Sequence, residues 1–270
     1  MKVSEINAMA EWIPQTMYRA VVGESIRFPD KEAIRFMRRS ISFRRFISEA
    51  DEVAARFVRL GVKKGDCVLL CMPNVPNIIV SVYALNKIGA VACPIHPKSS
   101  PAELSFYLAD TKARFVLCYA PLLPFVKKAT QEKDFDPTII TVSDQETLLF
   151  SSSAPSDFCV EEKKVYSWTE FLAVKKAEDV PESTDPEQLA VIFYSGGTTG
   201  TPKGIMLSSK NINALAYQTE HGSGLIPMSD YSMLAVIPMF HGFGFGVNVH
   251  LMLSRGGTSI LIPKFSAVDL

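Results

Sequence analysis

Apolar runs of strand length alternate along the chain with stretches in which apolar residues recur every three or four positions. Helical spacing is clearest at Phe46, Ala50, Val53 and Phe57, and Gly61 follows where such a helix would end. The alternation predicts an α/β fold in which helices cover a largely parallel sheet. The predicted strands are 67–71, 115–119, 139–142, 189–194, 204–207 and 234–237, and the predicted helices are 46–60, 102–109 and 169–174.

Two stretches depart from this alternation. Residues 75–95 are the longest apolar stretch, but Asn77, Asn86 and Lys87 interrupt it. It falls short of the roughly 18 continuous apolar residues of a membrane span, so we expect a core helix that leads into a strand. Residues 143–188 are polar and irregular. We therefore predict an α/β subdomain over residues 1–185 and the start of a second one over residues 186–270.

A glycine-rich segment follows the apolar run 189–194, so we expect a loop that projects from the end of a buried strand. Glycines bring backbone N–H groups close to phosphate oxygens, threonine hydroxyls add donors, and a lysine adds positive charge. The segment is therefore predicted to bind the phosphates of a nucleotide. The candidate residues are Ser195, Gly196, Gly197, Thr198, Thr199, Gly200, Thr201 and Lys203.

The Walker A loop is the nearest generic motif, but it requires Gly-Lys-Ser/Thr in succession at the start of a helix. Pro202 offers no N–H to a phosphate and disfavours helix at Thr201. Residues 204–207 then resume a strand-like pattern. We therefore expect a strand after the loop, and a Walker-type ATPase is disfavoured.

The order hydroxyl, Gly-Gly, Thr-Thr-Gly, any residue, Pro-Lys-Gly resembles the signature of the acyl-adenylate-forming superfamily, which includes acyl-CoA synthetases and adenylation domains. The likeness runs from near residue 12 to the end of the chain. It implies the N-terminal part of the adenylate-forming fold, with stacked, largely parallel sheets covered by helices. The paired glycines resemble a variant of some fatty-acyl ligases and favour an acyl substrate. Further landmarks are DCVLLCMPN (66–74), LNKIGAVACPIHP (85–97), PAELSFYLAD (101–110) and PMFHGFGFG (238–246).

His241 follows the strand-like run 234–237. On spacing alone it reads as a hydrogen-bonded histidine at a strand end. In acyl-CoA synthetases, however, the matching histidine lies at the acyl pocket, so the resemblance implies that His241 and Gly242 contact the carboxylate substrate. An imidazole can donate to a carboxylate, and neighbouring glycines leave room for an acyl chain. The other histidines have no metal-ligand spacing, and we expect loop or surface positions for His96, His221 and His250.

The resemblance implies attack of a carboxylate oxygen on the α-phosphorus of ATP, which gives an acyl adenylate and pyrophosphate; coenzyme A then displaces AMP. Two unit charges 4 Å apart repel by about 4 kcal/mol at an effective dielectric of 20, so the site must supply positive charge. Lys203, loop N–H groups and Mg²⁺ suit this task. No metal ligand and no catalytic residue are assigned, because the carboxylate is already ionised at pH 7 and needs no general base.

Composition limits the partners and the compartment. With 28 basic and 28 acidic residues the net charge is zero, which argues against nucleic-acid binding. The N-terminus lacks the layout of a secretory signal, so we expect a cytoplasmic protein. The chain has five cysteines in apolar surroundings, and Cys67 and Cys71 would lie about 13 Å apart along one strand. Reduced thiols are therefore expected, and close Cys/His pairs typical of zinc sites are lacking.

The 270 residues are about half the length of the family, whose later motifs bind adenine, ribose and magnesium. We therefore expect an N-terminal fragment that does not complete adenylation alone and whose uncovered apolar surface promotes self-association. Two other functions stay open, which are a non-catalytic module that binds an acyl group or phosphate and an amino-acid adenylation domain. The Met-Phe-His-Gly sequence at residues 239–242 favours fatty or aryl acids over amino acids.

Overall fold

The computed structural model describes residues 14–131, 135–147, 164–196, 202–224 and 227–263. The strands are β1 (Glu32–Phe36), β2 (Arg39–Ser42), β3 (Cys67–Cys71), β4 (Val91–Pro94), β5 (Phe115–Tyr119), β6 (Thr138–Val142), β7 (Val165–Ser167), β8 (Leu189–Ser195), β9 (Lys203–Ser208), β10 (Ser232–Ala235) and β11 (Thr258–Leu261). The helices are α1 (Met17–Arg27), α2 (Phe43–Arg59), α3 (Pro76–Lys87), α4 (Pro101–Thr111), α5 (Leu123–Gln131), α6 (Trp168–Ala173) and α7 (Ser209–Ser223), followed by a π-helix (Gly244–Leu251) that ends in one α-helical turn (Met252–Ser254). Short 3₁₀ turns cover Ala120–Leu122, Asp144–Glu146 and Met228–Asp230.

The strands of the described residues form two sheets. The larger has the order β7-β6-β5-β3-β4-β8-β9, and its neighbours are parallel except for the antiparallel pair β8–β9. The smaller has the order β10-β11-β1-β2 and is parallel except for β1–β2. The predicted α/β class with largely parallel sheets is therefore confirmed. Both sheets contain strands from either side of residue 185, and the proposed subdomain boundary there stays a prediction.

Local sequence signals determine where the helices begin and end. The Ser42 hydroxyl accepts the N–H of Arg45 at 3.3 Å and caps α2. Gly61, at φ +96°, takes the positive φ that ends the same helix. Helix α4 begins with a reciprocal capping box between Ser100 and Glu103. The predicted helices at 46–60, 102–109 and 169–174 are confirmed, with ends that differ by a few residues.

The core lies on both faces of the larger sheet. Along β3, Val68 and Leu70 belong to one buried cluster, whereas Leu69 belongs to another that includes residues of α4 and α5. The first cluster also contains residues of both sheets and of α3, in which residues 76–86 are all buried. Helix α3 is therefore covered on all sides, as expected of a core helix, although Asn77, Ser81 and Asn86 are among its buried residues. Among the described helices, none combines the length and hydropathy that crossing a membrane requires.

His250 is fully buried in the π-helix, so the predicted loop or surface position was wrong. Burial is possible because both ring nitrogens have partners. Nδ1 lies 2.9 Å from the hydroxyl of Tyr83, and Nε2 lies 2.8 Å from the amide oxygen of Asn213. The amide oxygen can only accept, so Nε2 carries the proton of a neutral ring and Nδ1 accepts from Tyr83. Burial lowers the pKa of His250 to about 3.

We expect acid to destabilise the fold through His250. In the unfolded chain the imidazole has its ordinary pKa of about 6.5, so between pH 6.5 and 3 the unfolded state binds a proton that the folded state excludes. Between pH 6.5 and 3 this group lowers the free energy of unfolding by about 1.4 kcal/mol for each unit that the pH falls, and above pH 6.5 it has no effect. Urea unfolding at pH 7 and pH 5 should show a smaller pH effect in His250→Gln than in the wild type. The exposed His221→Gln serves as control, and equal pH slopes in all three proteins would contradict the assignment.

Candidate phosphate and acid site

The glycine-rich segment lies between two antiparallel strands, β8 and β9, which form a hairpin. Strands β8 and β9 are antiparallel, and Ser195 pairs with Lys203 at the open end. The strands predicted before and after the glycine-rich segment are therefore confirmed, and α7 begins only after β9, where Ser208 caps it. A Walker A loop would instead lead directly into a helix. The candidates Gly197, Thr198, Thr199, Gly200 and Thr201 lie outside the described residues.

The two described ends of the loop face open space. Gly196 is exposed, and a Cβ at that position would have no heavy atom within 4 Å. Lys203 is also exposed and forms no ion pair within the described part of the chain. A Cβ on Gly204 would lie 3.2 Å from the Ile192 side chain and 3.4 Å from the Tyr194 ring, so glycine allows β9 to lie close to these side chains. Lys203 is therefore held at the base of the loop with its charge available to an anion.

Tyr194 joins the carboxyl end of β8 to α4 through a hydrogen bond and a ring contact. Its hydroxyl donates to the carboxylate of Asp110 at 2.6 Å, and its ring centroid lies 4.4 Å from that of Tyr107. Burial, together with the hydrogen bond to Asp110, raises the pKa of Tyr194, so the phenol remains protonated and keeps donating. This contact fixes the strand residue directly before Ser195. The pair could not be predicted from the sequence, because 84 residues separate the partners.

His241 lies in a compact turn between β10 and the π-helix. Its main-chain N–H donates to Pro238 O, and its carbonyl accepts from Phe245 N, both at 3.0 Å. The ring is exposed, and Nδ1 accepts the N–H of Phe243 at 3.2 Å. In the neutral ring this leaves the proton on Nε2. The exposed Nε2–H can donate to an anionic group such as a carboxylate.

The turn and the hairpin meet at one edge of the larger sheet. A Cβ on Gly242 would lie 3.7 Å from the Phe193 ring of β8, two residues before Ser195. The turn that carries the predicted acid-binding residues thus contacts β8 two residues before the predicted phosphate loop begins. The loop after β4 reaches the same place, because the ring of His96 packs on Phe240 with centroids 4.6 Å apart. The carboxyl ends of parallel strands are the usual location of ligand sites in α/β sheets.

Phe243 does not take the core position that its spacing predicts. Apolar residues alternate at Phe243, Phe245, Val247, Val249 and Leu251, which predicts core positions, but 52% of the Phe243 surface is exposed because Phe243 lies directly before the buried π-helix 244–251. The described residues contain no group of three or more His, Cys, Asp or Glu side chains placed to hold a metal ion. Metal ligands are therefore not assigned in this part of the chain.

Comparison with known proteins places the chain in one family. The family of AMP-binding enzymes matches residues 24–270. A long-chain-fatty-acid–CoA ligase of Bacillus subtilis (strain 168) is 28% identical over 265 residues, which cover 94% of this chain and 47% of that protein. 4-Coumarate–CoA ligase 1 of Arabidopsis thaliana is 29% identical over 218 residues, which cover 79% of this chain and 37% of that protein.

The fold agrees with a solved structure of the same kind. A long-chain-fatty-acid-CoA ligase (FadD1) from Archaeoglobus fulgidus superposes with a TM-score of 0.78 at 25% identity, over 94% of this chain and 48% of that one. The chain thus spans about half the length of the relatives it matches. The match of the family to residues 24–270, together with the hairpin and the two sheets, establishes that the chain belongs to the AMP-binding enzyme family.

Proposed function

We propose that the chain is the part of an ATP-dependent acyl-CoA synthetase that binds the phosphates of ATP and the carboxylate of the acid. The adjacency of the hairpin and the His241 turn at the edge of the larger sheet carries this proposal. Ser195, Gly196 and Lys203 flank the glycine-rich segment, Gly196 and Lys203 are exposed, and Gly242 contacts β8 two residues before Ser195. A phosphate donor and a carboxylate acceptor bound at these two places would be neighbours.

In this proposal a carboxylate oxygen forms a bond to the α-phosphorus of ATP, and the bond from that phosphorus to pyrophosphate breaks. Lys203 and the loop N–H groups neutralise the β- and γ-phosphates, which makes pyrophosphate a better leaving group. The Nε2–H of His241 holds the carboxylate in place. The thiol of coenzyme A then displaces AMP from the acyl adenylate. Mg²⁺ bound with ATP supplies further positive charge, and its protein ligands are not assigned.

The names of the relatives guide the choice of acid and thiol. Relatives named for long-chain fatty acids and for 4-coumarate support a fatty or aryl acid rather than an amino acid. Because the chain spans about half of these relatives, the complete reaction is proposed for a protein of the family's full length. We further propose a cytoplasmic location, and self-association of the chain through exposed apolar side chains such as Leu234 and Ile237.

Carboxylate-dependent exchange between pyrophosphate and ATP tests the proposal. We expect a full-length protein that contains this chain to catalyse the exchange with fatty or aryl acids, and the 270-residue chain alone to be inactive. Exchange with amino acids only would indicate a peptide-synthesis adenylation domain. Inactivity of both proteins with fatty, aryl and amino acids would overturn the enzyme proposal and favour a binding module.

A further inference from the structure

Asn74 connects the larger sheet to the segment that carries His241. It lies three residues after the end of β3, and only 5% of its surface is exposed. It is the last residue of the landmark DCVLLCMPN (66–74), and no local pattern in the sequence indicates its role. Its side chain reaches the chain where it leaves β10, which is the edge strand of the smaller sheet. A single amide therefore spans from one sheet to the other.

Every polar atom of this amide bonds to the main chain of residues 235–239. Nδ2 donates to the carbonyl oxygens of Ala235 at 3.0 Å and Ile237 at 3.2 Å. Oδ1 accepts the N–H of Met239 at 2.9 Å. The Asn74 amide therefore satisfies three main-chain groups in a five-residue segment that turns away from its strand. Buried main-chain groups without such partners would be costly.

The geometry of these bonds continues directly to His241. Pro238, within the clamped segment, accepts the main-chain N–H of His241 at 3.0 Å. Met239 and Ala235 are buried, whereas His241 is exposed at the end of the turn. The position of the imidazole therefore depends on the path of residues 235–239. Of the residues that fit this space, only asparagine offers two donor hydrogens and an acceptor on a side chain this short.

We propose that Asn74 is a positioning residue that fixes the main chain of residues 235–239 and thereby holds His241 beside the end of β8. The proposed effect on the main chain and on the imidazole follows from the hydrogen bonds of Asn74 and His241 and does not depend on the proposed function. The consequence for acid binding rests on the proposed function. Asn74 acts only through the segment and has no expected contact with the acid or with ATP.

Asn74→Asp is the sharpest test, because it keeps the size of the side chain and its acceptor. It places a carboxylate oxygen against two carbonyl oxygens, where Nδ2 now donates. Asn77→Asp is a matched control. Asn77 is also buried, and its Nδ2 donates to the carbonyl of Glu146 at 3.2 Å, away from the His241 turn. Both variants lose a buried amide donor, but only the first is expected to disturb His241.

Three readouts separate positioning from a general loss of stability. In Asn74→Asp, we expect hydrogen exchange of the Met239 amide to be roughly tenfold faster and the NMR signals of the His241 ring to shift. In a full-length enzyme, we expect the KM for the acid to rise roughly tenfold, while the KM for ATP changes less than about twofold. Asn77→Asp should leave all three readouts at the wild-type values.

The proposal fails if Asn74→Asp leaves the His241 signals and the Met239 exchange unchanged, or if Asn77→Asp shifts them equally. It also fails if the KM values for acid and ATP rise together.

If Asn74→Asp does not fold, hydrogen exchange of the wild type still tests the proposal. The Met239 amide lies outside any strand or helix, yet we expect its hydrogen exchange to be slowed roughly tenfold or more. Absence of that protection overturns the proposal. If the wild-type full-length protein shows no acid-dependent exchange between pyrophosphate and ATP, the enzyme proposal is refuted. The NMR and hydrogen-exchange readouts then still decide the role of Asn74.

Discussion

Gly244→Ala is expected to lower the free energy of unfolding by roughly 3 kcal/mol, the upper end of the usual cost of overpacking. A Cβ at this position would lie 2.8 Å from the carbonyl oxygen of Ile237 and closer still to that of Pro238. Both obstacles are main-chain atoms, so no side-chain rotation can relieve the contact. Ile237 belongs to the segment that Asn74 holds, and this limits the movement that could absorb the strain. Urea unfolding of both proteins measures the difference.

Gly23→Ala is the matched control for this prediction. Gly23 lies in the interior of α1, is exposed, and would have no heavy atom within 4 Å of an added Cβ. Alanine is favoured over glycine in an exposed helix by up to about 1 kcal/mol. The same chemical change should therefore stabilise the protein at residue 23 and destabilise it at residue 244. A Gly244→Ala protein as stable as the wild type would contradict the close approach of the turn to the π-helix.

Local pattern was sufficient to predict most of the fold. Residues 67–71 and 115–119 are apolar runs that each follow a charged residue, Asp66 and Arg114, and both form strands with the predicted ends. Pro202 disfavours a helix at Thr201, so a strand after the glycine-rich segment could be predicted without coordinates. The strand expected at 234–237 is Ser232–Ala235, because the segment after Ala235 bonds to a side chain rather than to a neighbouring strand.

Contacts between distant parts of the chain could not be predicted in this way. Asn74 bonds to residues more than 160 positions away, and the partner of His250 on α3 is 167 positions away. Neither residue carries a local signal, since a buried polar side chain is recognisable only when its partners are known. For Phe243 the spacing was misleading, because apolar residues at every second position also occur in a helix that is buried on most sides.

The candidate site depends both on local sequence pattern and on contacts between distant parts of the chain. The chemistry of the loop can be derived from its glycines, hydroxyls and lysine, but its location beside the His241 turn depends on the sheet order β4-β8-β9 and on the contact of Gly242 with Phe193. His96 illustrates the difference. As expected it lies in a loop, yet its ring packs on Phe240 at the site, which no spacing in the sequence indicates.

Lys203→Met is expected to cause the largest loss of function. Pyrophosphate is multiply charged, and a unit charge pair 4 Å apart contributes about 4 kcal/mol at an effective dielectric of 20. Lys203 is exposed, and water screens part of this energy. Removal of a comparable stabilising group from an active site usually lowers rates by about 100-fold or more. We therefore expect acid-dependent exchange in a full-length enzyme to fall about 100-fold, with unchanged thermal stability.

Lys210→Met provides the matched control, because it removes the same charge from the next lysine along the chain. Lys210 lies in α7, and its Nζ forms an ion pair with Glu187 at 2.5 Å, away from the glycine-rich loop. Its charge is therefore already paired with a carboxylate. An exposed ion pair contributes at most about 1 kcal/mol to stability, and its loss should leave pyrophosphate binding unchanged. In the 270-residue chain, calorimetric titration with magnesium pyrophosphate measures both variants. If Lys203→Met, Lys210→Met and the wild type bind pyrophosphate with equal affinity, Lys203 is excluded as the phosphate ligand. A lysine that contacts the anion would contribute to the affinity for pyrophosphate.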